Sequence, residues 1–342
     1  MMRVAVINSG SSSLKFKLFD MEDEKVIYEL LVEHIGEENS DVKNHHEALE
    51  KIDADFQSID IVGHRVVHGG EEFKTPTIVD AEVLKKIKSL SHLAPLHNPA
   101  NVEGIEIVMK KAPNSTQVAV FDTSFHSTMP QEAYLYAIPF EMYEKHKIRR
   151  YGFHGTSHSY LLKECAKILN KSTKELNIIT LHLGNGSSIC AIENGKSIDT
   201  SMGFTPLEGL VMGTRCGDID AAIVLYMQRE LGIDIDEVDN ILNKKSGLFG
   251  ICHNSDIREI LNSPSPKAKL ALDMMIRRER KYLGGYMALL DRVDAVVFSG
   301  GIGENSSYIR DEITKNLVEK SKVLVIKTDE ELEIARECTK SF

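Results

Sequence analysis

No stretch of this sequence is long and apolar enough to span a bilayer, and no charged-then-apolar leader stands at its start. That argues against a membrane role and against export. The cysteines are few and scattered: Cys165, Cys190, Cys216, Cys252 and Cys338 form no CxxC pair, and their number is odd. A disulfide scaffold is excluded, and a reducing, cytoplasmic setting is expected. Positive charge is also short. Lys and Arg number 41 against 51 Asp and Glu, a formal net charge of −10, and no basic run breaks the pattern. Non-specific nucleic-acid binding is therefore not expected. An anionic substrate needs its counter-charge supplied locally. No low-complexity linker divides the chain.

At 342 residues the chain exceeds what one hydrophobic core usually holds, so two domains are expected. Residues 3 to 32 read as strand, turn, strand, turn, strand, with turns at Ser9–Ser13 and Met21–Glu24. Leu14, Phe16 and Leu18 fall on one face of the second strand, Lys15 and Lys17 on the other. Residues 177 to 202 repeat the plan: an apolar strand, a Gly-Ser-Ser turn at Gly184–Ser188, a second turn at Glu193–Lys196, and a third strand. A repeat of this size indicates a duplicated lobe. Helical periodicity marks Asp80–His92, Asn98–Lys111, 157–169 and 267–290, and short apolar strands stand at Ile59–Val62, Gln117–Phe121 and Ala295–Phe298. The mixture is α/β. Residues 36–46 read as a surface loop.

Taken singly, the polar motifs have ordinary explanations. Serine, asparagine and glycine dominate hairpin turns. The arginine of "GHRVVHGG" (63–70) could be an edge-strand residue in a surface ion pair. "APLHNPA" (94–100) starts a helix, and Asp122 of "VFDTSFH" (120–126) could be a cap. The two histidines of "YGFHGTSH" (151–158) suggest a metal, but no third ligand has metal spacing. "NGKS" (194–197) lacks the glycine of a P-loop, and "GGIGENS" (300–306) has Ser306 in place of the third glycine of a dinucleotide fingerprint. Together the motifs say more. Glycine-bearing loops at strand ends, two arginines and several histidines in glycine-rich settings, and an aspartate at a strand end fit phosphoryl transfer. There catalysis is mostly positioning and charge neutralisation.

These motifs also carry a resemblance. "VINSGSSSLKFKLFD", "GHRVVHGG", "APLHNPAN", "VFDTSFHSTMP", "YGFHGTSH", "LHLGNGSS", "DTSMGFTPLEGLVMGTRCGDID", "NKKSG" and "GGIGENS" run, in that order and over nearly the whole chain, as in the acetate kinases. These belong to the acetate and sugar kinase/Hsp70/actin superfamily. The resemblance implies two duplicated RNase H-like (actin-like ATPase) lobes around a central cleft. The lobes would span 1–148, completed by a C-terminal helix at 329–342, and 149–328. It implies a cytoplasmic homodimer that phosphorylates acetate to acetyl phosphate with ATP and Mg2+ (or Mn2+), and runs the reverse with ADP.

The resemblance also assigns roles. Asp122, His154, Arg65 and Arg215 would do the chemistry. Arg65, Val67, Leu96, His97, Phe153 and Pro206 would hold the substrate. Asn8, Ser11 and Ser13 would form a hairpin facing phosphates and metal, with Asn8 and Glu330 as metal-associated residues. Nucleotide contacts fall to Lys15, to His182, Leu183, Gly184, Asn185 and Gly186, to Asp256, Ile257 and Arg258, and to Gly301, Ile302, Gly303, Glu304 and Asn305.

The chain departs from the family pattern in being shorter. Ile35–Gln57 looks compressed, a segment is missing between Asn316 and Val323, and Phe249–Asn254 is altered. Lys327 and Asp329 replace the usual Pro and Asn, and Ala221 stands where Pro is common. Three other readings differ in function. A propionate or butyrate kinase would differ in pocket volume. An ATP-switched protein would not need the carboxylate-binding arginines. A degenerate paralogue would not need to keep His154 and Asp122.

Overall fold

The computed structural model describes residues 2–10, 13–36, 40–95 and 97–340. Ser11 and Leu96 lie outside them. The chain divides into two compact units. The first takes Met1–Ser127, Gly155–Tyr160 and the C-terminal stretch from Asp329; the second takes Thr128–His154 and Leu161–Thr328.

The first unit is built on a six-stranded sheet of β1 (Arg3–Ser9), β2 (Leu14–Asp20), β3 (Lys25–Val32), β4 (Ile61–Val66), β5 (Thr77–Ile78) and β6 (Thr116–Phe121). Its order is β3-β2-β1-β4-β6-β5. β1 to β3 form the antiparallel meander, and β4 and β6 then run parallel to β1. The two-residue period of β1 serves two cores at once. Ala5 and Ile7 join Phe16, Leu49 and Val108 on one face; Val4 and Val6 join Val118, Ile334 and Cys338 on the other. The second face is covered by the last helix, Glu330–Thr339, which packs on β1, β4 and β6. Gly63 permits that approach, since a Cβ there would lie 2.7 Å from Cys338 Sγ.

The second unit repeats the plan. β7 (Ile178–Leu183), β8 (Ser187–Glu193) and β9 (Lys196–Thr200) form an antiparallel meander, and β10 (Ala295–Ser299) and β11 (Val323–Val325) continue parallel to β7. The order β11-β10-β7-β8-β9 matches β6-β4-β1-β2-β3 strand for strand. One face packs on the 24-residue helix Pro266–Leu289, which starts with Pro at its first position, where the missing N–H costs nothing. The duplication expected from the meanders is thus present in topology and in strand direction.

Three local expectations need correction. β4 begins at Ile61 and runs on to Val66, because Gly63–Val66 pair with Val118–Phe121 of β6. Arg65 therefore lies within the strand and not beyond its expected end at Val62. Of the surface loop expected at 36–46, residues 37–39 lie outside the described residues, 36 and 40–44 form no helix or strand, and the last two begin a helix, His45–Glu50, capped by the Asn44 side chain, which accepts from Glu47 N at 2.9 Å. The glycines of "GGIGENS" are not a loop but the short helix Gly300–Asn305, following β10 directly. Its start is held by Glu304, whose Oε1 accepts from Gly300 N at 3.0 Å and Ser299 Oγ at 3.2 Å.

One buried group fits poorly. Glu279, 1% exposed in the middle of helix Pro266–Leu289, leaves its Oε2 without a hydrogen-bond partner. Burial pushes its carboxyl up to about 8. A group whose folded pKa is raised contributes stability below its unfolded value, about 4.5, that is lost as pH rises towards 8. Glu279→Leu is expected to raise the melting temperature by a few degrees, about 1–3 kcal/mol, with a gain that grows between pH 5 and pH 8. A gain independent of pH, read by scanning calorimetry, would contradict the assignment.

Candidate active site

In the first unit the parallel strands end together, and each carries a polar side chain at or just beside its end. Asn8 is the next-to-last residue of β1, Arg65 the next-to-last of β4, and β6 runs into Asp122. The Arg65 guanidinium meets both oxygens of Asp122: Nε to Oδ1 at 2.9 Å and Nη2 to Oδ2 at 2.6 Å. This is the two-pronged pairing that arginine geometry favours. The third nitrogen, Nη1, donates to Asn8 Oδ1 at 2.9 Å. Burial disfavours the Arg65 charge, but Asp122 and then Glu330 outweigh it and hold the guanidinium protonated. Asp122 is 1% exposed, and its backbone is fixed by Asp122 N donating to Val66 O at 3.0 Å and Gly155 N donating to Asp122 O at 3.0 Å.

The last helix brings an acidic start to the same place. Glu330 Oε2 lies 4.0 Å from Arg65 Nε. Burial first, then the like charges of Asp122 and Glu331, push its carboxyl up to about 7 against the opposing pull of Arg65 and Lys15. Its neighbour Glu331 accepts from Asn8 Nδ2 at 3.1 Å and pairs with Lys15 Nζ at 2.7 Å. Lys17 reaches Asp329 at 3.0 Å. Crowded, buried oxygen donors of this kind suit a hard divalent cation held by one or two carboxylates. Among the described residues there is no cluster of three or more His, Cys, Asp or Glu of the sort that makes an all-protein metal site.

Helix Asn98–Lys111 holds the loop after β4. Asn101 donates to Ser9 O at 2.9 Å and accepts from Val67 N at 3.1 Å, linking the ends of β1 and β4. Asn98 pairs with both backbone groups of His68. Val67 is buried, and His97 occupies the N-cap position of the helix. Gly10 N donates to Ser13 O at 2.8 Å, closing the first hairpin.

In the second unit the β7–β8 hairpin is the platform. His154 takes the left-handed backbone conformation, φ +56°, immediately before helix Gly155–Leu169. For a residue with a Cβ this is a strained setting of the sort found at functional positions. Its ring lies over His182 of β7, centroids 4.5 Å apart. Gly186, at the hairpin tip, leaves a bare spot. A Cβ there would sit 3.4 Å from Arg215 Nη1 and 3.6 Å from His154 Nε2, so both donors border one position. Asn185 O accepts from Gly213 N at 3.0 Å, tying the tip to the Arg215 loop. Arg215 Nη1 donates to Pro206 O at 3.3 Å. Among the described residues no carboxylate pairs with Arg215, and burial lowers its pKa. A half-buried cation beside a histidine, without a counter-charge, is set up to receive an anion. Phe153 is buried beside His154.

Gly300 approaches the end of β7 closely. At φ +78°, a Cβ there would lie 2.6 Å from Leu183 O, so only glycine lets helix Gly300–Asn305 start where it does. Gly303 lies against Leu183, while Asn305 turns back, donating to Gly301 O at 2.8 Å. Asp256 and Arg258 behave differently. They pair with each other at the exposed start of helix Ile257–Asn262 and make no hydrogen bond to the Gly301–Asn305 turn. Hydrogen bonds from Arg258 pull the Asp256 carboxyl down to about 2.

The sequence reading missed several residues that these contacts bring in. Glu331 was legible only as part of an acidic helix start, and Asn101 only as an ordinary helix residue. Ser188 was seen only as one of two turn serines. Arg150 and Glu208 carried no signal. Arg150 Nη1 donates to the carbonyls of Thr200, Ser201 and Met202, and its Nη2 meets Glu208 Oε1 at 2.5 Å, fastening the segment before His154 to the loop of Pro206.

Comparison with known proteins gives consistent matches. A family model described as the acetokinase family matches residues 3–55 and 43–342. The acetate kinase of Sulfurimonas denitrificans is 52% identical over 382 aligned positions, covering 98% of each chain. That of Campylobacter jejuni serotype O:2 is 48% identical, again with 98% of each chain covered. Among solved structures, Porphyromonas gingivalis acetate kinase aligns with a TM-score of 0.92 at 37% identity, covering 99% of both chains. A Francisella tularensis propionate kinase aligns at 0.91 and 40%, covering 99% of this chain and 100% of the other. An alignment of 382 positions against 342 residues means that the Sulfurimonas relative carries segments this chain lacks. The family model breaks at 43–55, within the stretch that reads as compressed.

Gly186→Ala tests the bare spot. The methyl group fits at ordinary contact distances, so the melting temperature should stay within about 2 °C of the parent. The methyl would fill the position that Arg215 and His154 share, so affinity for pyrophosphate, read by titration calorimetry, should fall at least about 10-fold. Unchanged affinity would show that the anion sits elsewhere.

Proposed function

This chain belongs to the acetokinase family, and on that footing we propose that it catalyses the reversible, Mg-ATP-dependent phosphorylation of acetate to acetyl phosphate by direct in-line phosphoryl transfer. The observation that carries the mechanism is Arg215: partly buried, without a carboxylate partner among the described residues, and sharing the position beside Gly186 with His154 Nε2. Acetate is ionised at neutral pH and is already a nucleophile, so no general base is needed. What the reaction needs is relief of the repulsion between a carboxylate and a triphosphate. Arg215 and His154 donate to the phosphoryl oxygens as charge develops on them.

Arg65 binds the substrate carboxylate, and Asp122 orients Arg65, since both Asp122 oxygens are already engaged by the guanidinium. By the family resemblance, Val67, Leu96, Phe153 and Pro206 are assigned to the substrate methyl group, and His97 supports His154. Nucleotide contacts come from Lys15, from the hairpin His182–Gly186, from Asp256–Arg258 and from Gly301–Asn305. Glu330, with Asn8, would hold Mg2+; the like charges around Glu330 favour a cation there. When bound, the ion neutralises phosphate charge.

A second reading has one observation in its favour: the propionate kinase resembles this chain about as closely as the acetate kinase does among the solved structures. One methylene is worth about 1–3 kcal/mol, so the acid preference is a question of measured rates. Purified protein with Mg-ATP and hydroxylamine should form acetyl hydroxamate, with propionate and butyrate at least about 10-fold slower. Arg215→Ala should lose at least about 100-fold. Faster turnover of propionate would shift the reading to a propionate kinase. No product with any acid, from protein that still binds ATP, would move it to an ATP switch or a degenerate paralogue.

The protein is proposed to act in the cytoplasm as a homodimer. No helix among the described residues is long and apolar enough to cross a membrane. Helix Ala221–Arg229 buries none of its residues within the chain and leaves Ile223, Leu225 and Tyr226 exposed. Such a face is expected to be covered by a second copy. Light scattering behind gel filtration should give a dimer for the parent and a monomer for Tyr226→Glu; a monomeric parent would end the proposal.

A further inference from the structure

Ser187 and Ser188 follow the same turn but face opposite sides of β8. Ser187 closes the hairpin. Its Oγ donates to Gly184 O at 3.0 Å and accepts from Gly184 N at 3.3 Å. Ser188 is fully buried and stands directly across the ladder from His182. Its Oγ lies 2.9 Å from His154 Nδ1. The His154 ring is thus seated on the hairpin by two neighbouring side chains, with the His182 ring beneath it and Ser188 at one nitrogen. The other nitrogen, Nε2, borders the bare spot at Gly186 together with Arg215 Nη1.

We propose that Ser188 is a positioning residue for phosphoryl transfer: its hydroxyl donates to His154 Nδ1, holds the imidazole as the Nε2–H tautomer, and so turns a hydrogen-bond donor towards the oxyanion position shared with Arg215. A neutral imidazole has one donor and one acceptor nitrogen, and the partner of one decides the role of the other. The opposite tautomer would present a lone pair to a phosphoryl oxygen and repel it. Hydrogen-bond partners that fix the tautomer of metal-ligating histidines are worth about 10–100-fold in metal affinity or activity, and an effect of that order is expected here. The inference rests on the kinase reading above, in which His154 touches the phosphoryl group.

The test uses Ser188→Ala, Ser188→Thr and His154→Gln in the full chain. Removing one buried hydroxyl leaves the packing almost unchanged, and Thr restores the hydroxyl should Ala disturb the fold. In the hydroxamate assay Ser188→Ala should lose about 10–100-fold in kcat with KM for ATP within about twofold, and Ser188→Thr should recover most of it. Combined with His154→Gln, Ser188→Ala should cost nothing further, because it acts through that ring. Nitrogen-15 spectra of histidine-labelled protein, assigned with His154→Gln, should show the Nε2–H form in the parent and its loss in Ser188→Ala. A parent in the Nδ1–H form, an unchanged kcat in Ser188→Ala, or full additivity with His154→Gln would overturn the role of Ser188. An inactive parent would instead overturn the kinase reading, while the spectra would still decide the tautomer.

Discussion

The Arg65–Asp122 pair imposes the strictest demand on the first unit. A guanidinium removed from water needs a carboxylate in a fixed, two-pronged geometry. Arg65 belongs to β4 and Asp122 follows β6, so the pair forms only if the two strands are parallel neighbours in one register. The ladder meets that demand, with Arg65 opposite Val120 and Val66 opposite Phe121. Asn8 reaches the same guanidinium because β1 is the next parallel neighbour of β4. The last helix then places Glu330 and Glu331 beside them, over a surface that Gly63 keeps open.

The second unit has the same strand order but a different electrostatic solution. Arg215 comes from an irregular loop and has no carboxylate partner among the described residues. What holds that loop is not a salt bridge to the arginine but hydrogen bonds to backbone carbonyls: Gly213 N to Asn185 O, the Arg215 side chain to Pro206 O, and the Arg150 side chain to Thr200 O at the end of β9. One arginine is therefore neutralised within its own unit and oriented by that neutralisation. The other has no such neutralising partner among the described residues. Duplication supplied two equivalent strand-end platforms, and different side chains at the strand ends gave them different chemistry.

The Gly-Ser-Ser turn shows how one short motif divides its labour. The glycine at 186 clears space, Ser187 stabilises the turn, and Ser188 faces the histidine. A turn composed of small residues for local reasons alone would not require the second serine to be buried against His154.

Local chemistry was enough to mark the two meanders, the alternation in β2, the long helix at 267–290 and the family. These depend on periodicity and on motif order, both of which are written along the chain. The strand reading stopped short at β4, because the extension to Val66 comes from pairing with a strand more than fifty residues away. The helical start of "GGIGENS" was hidden for a similar reason, since the close approach of Gly300 to the carbonyl of Leu183, more than a hundred residues earlier, shapes it. The roles of Glu331, Asn101, Arg150 and Glu208 were also unreadable, because each acts only on residues distant in sequence. The sequence by itself determined the α/β class, the internal duplication and the membership of the acetokinase family. Only the tertiary structure decided which charges neutralise each other, which nitrogen of His154 faces Arg215, and which carboxylates crowd Glu330. Those depend on distances of a few ångströms between side chains that only the folded sheet brings together.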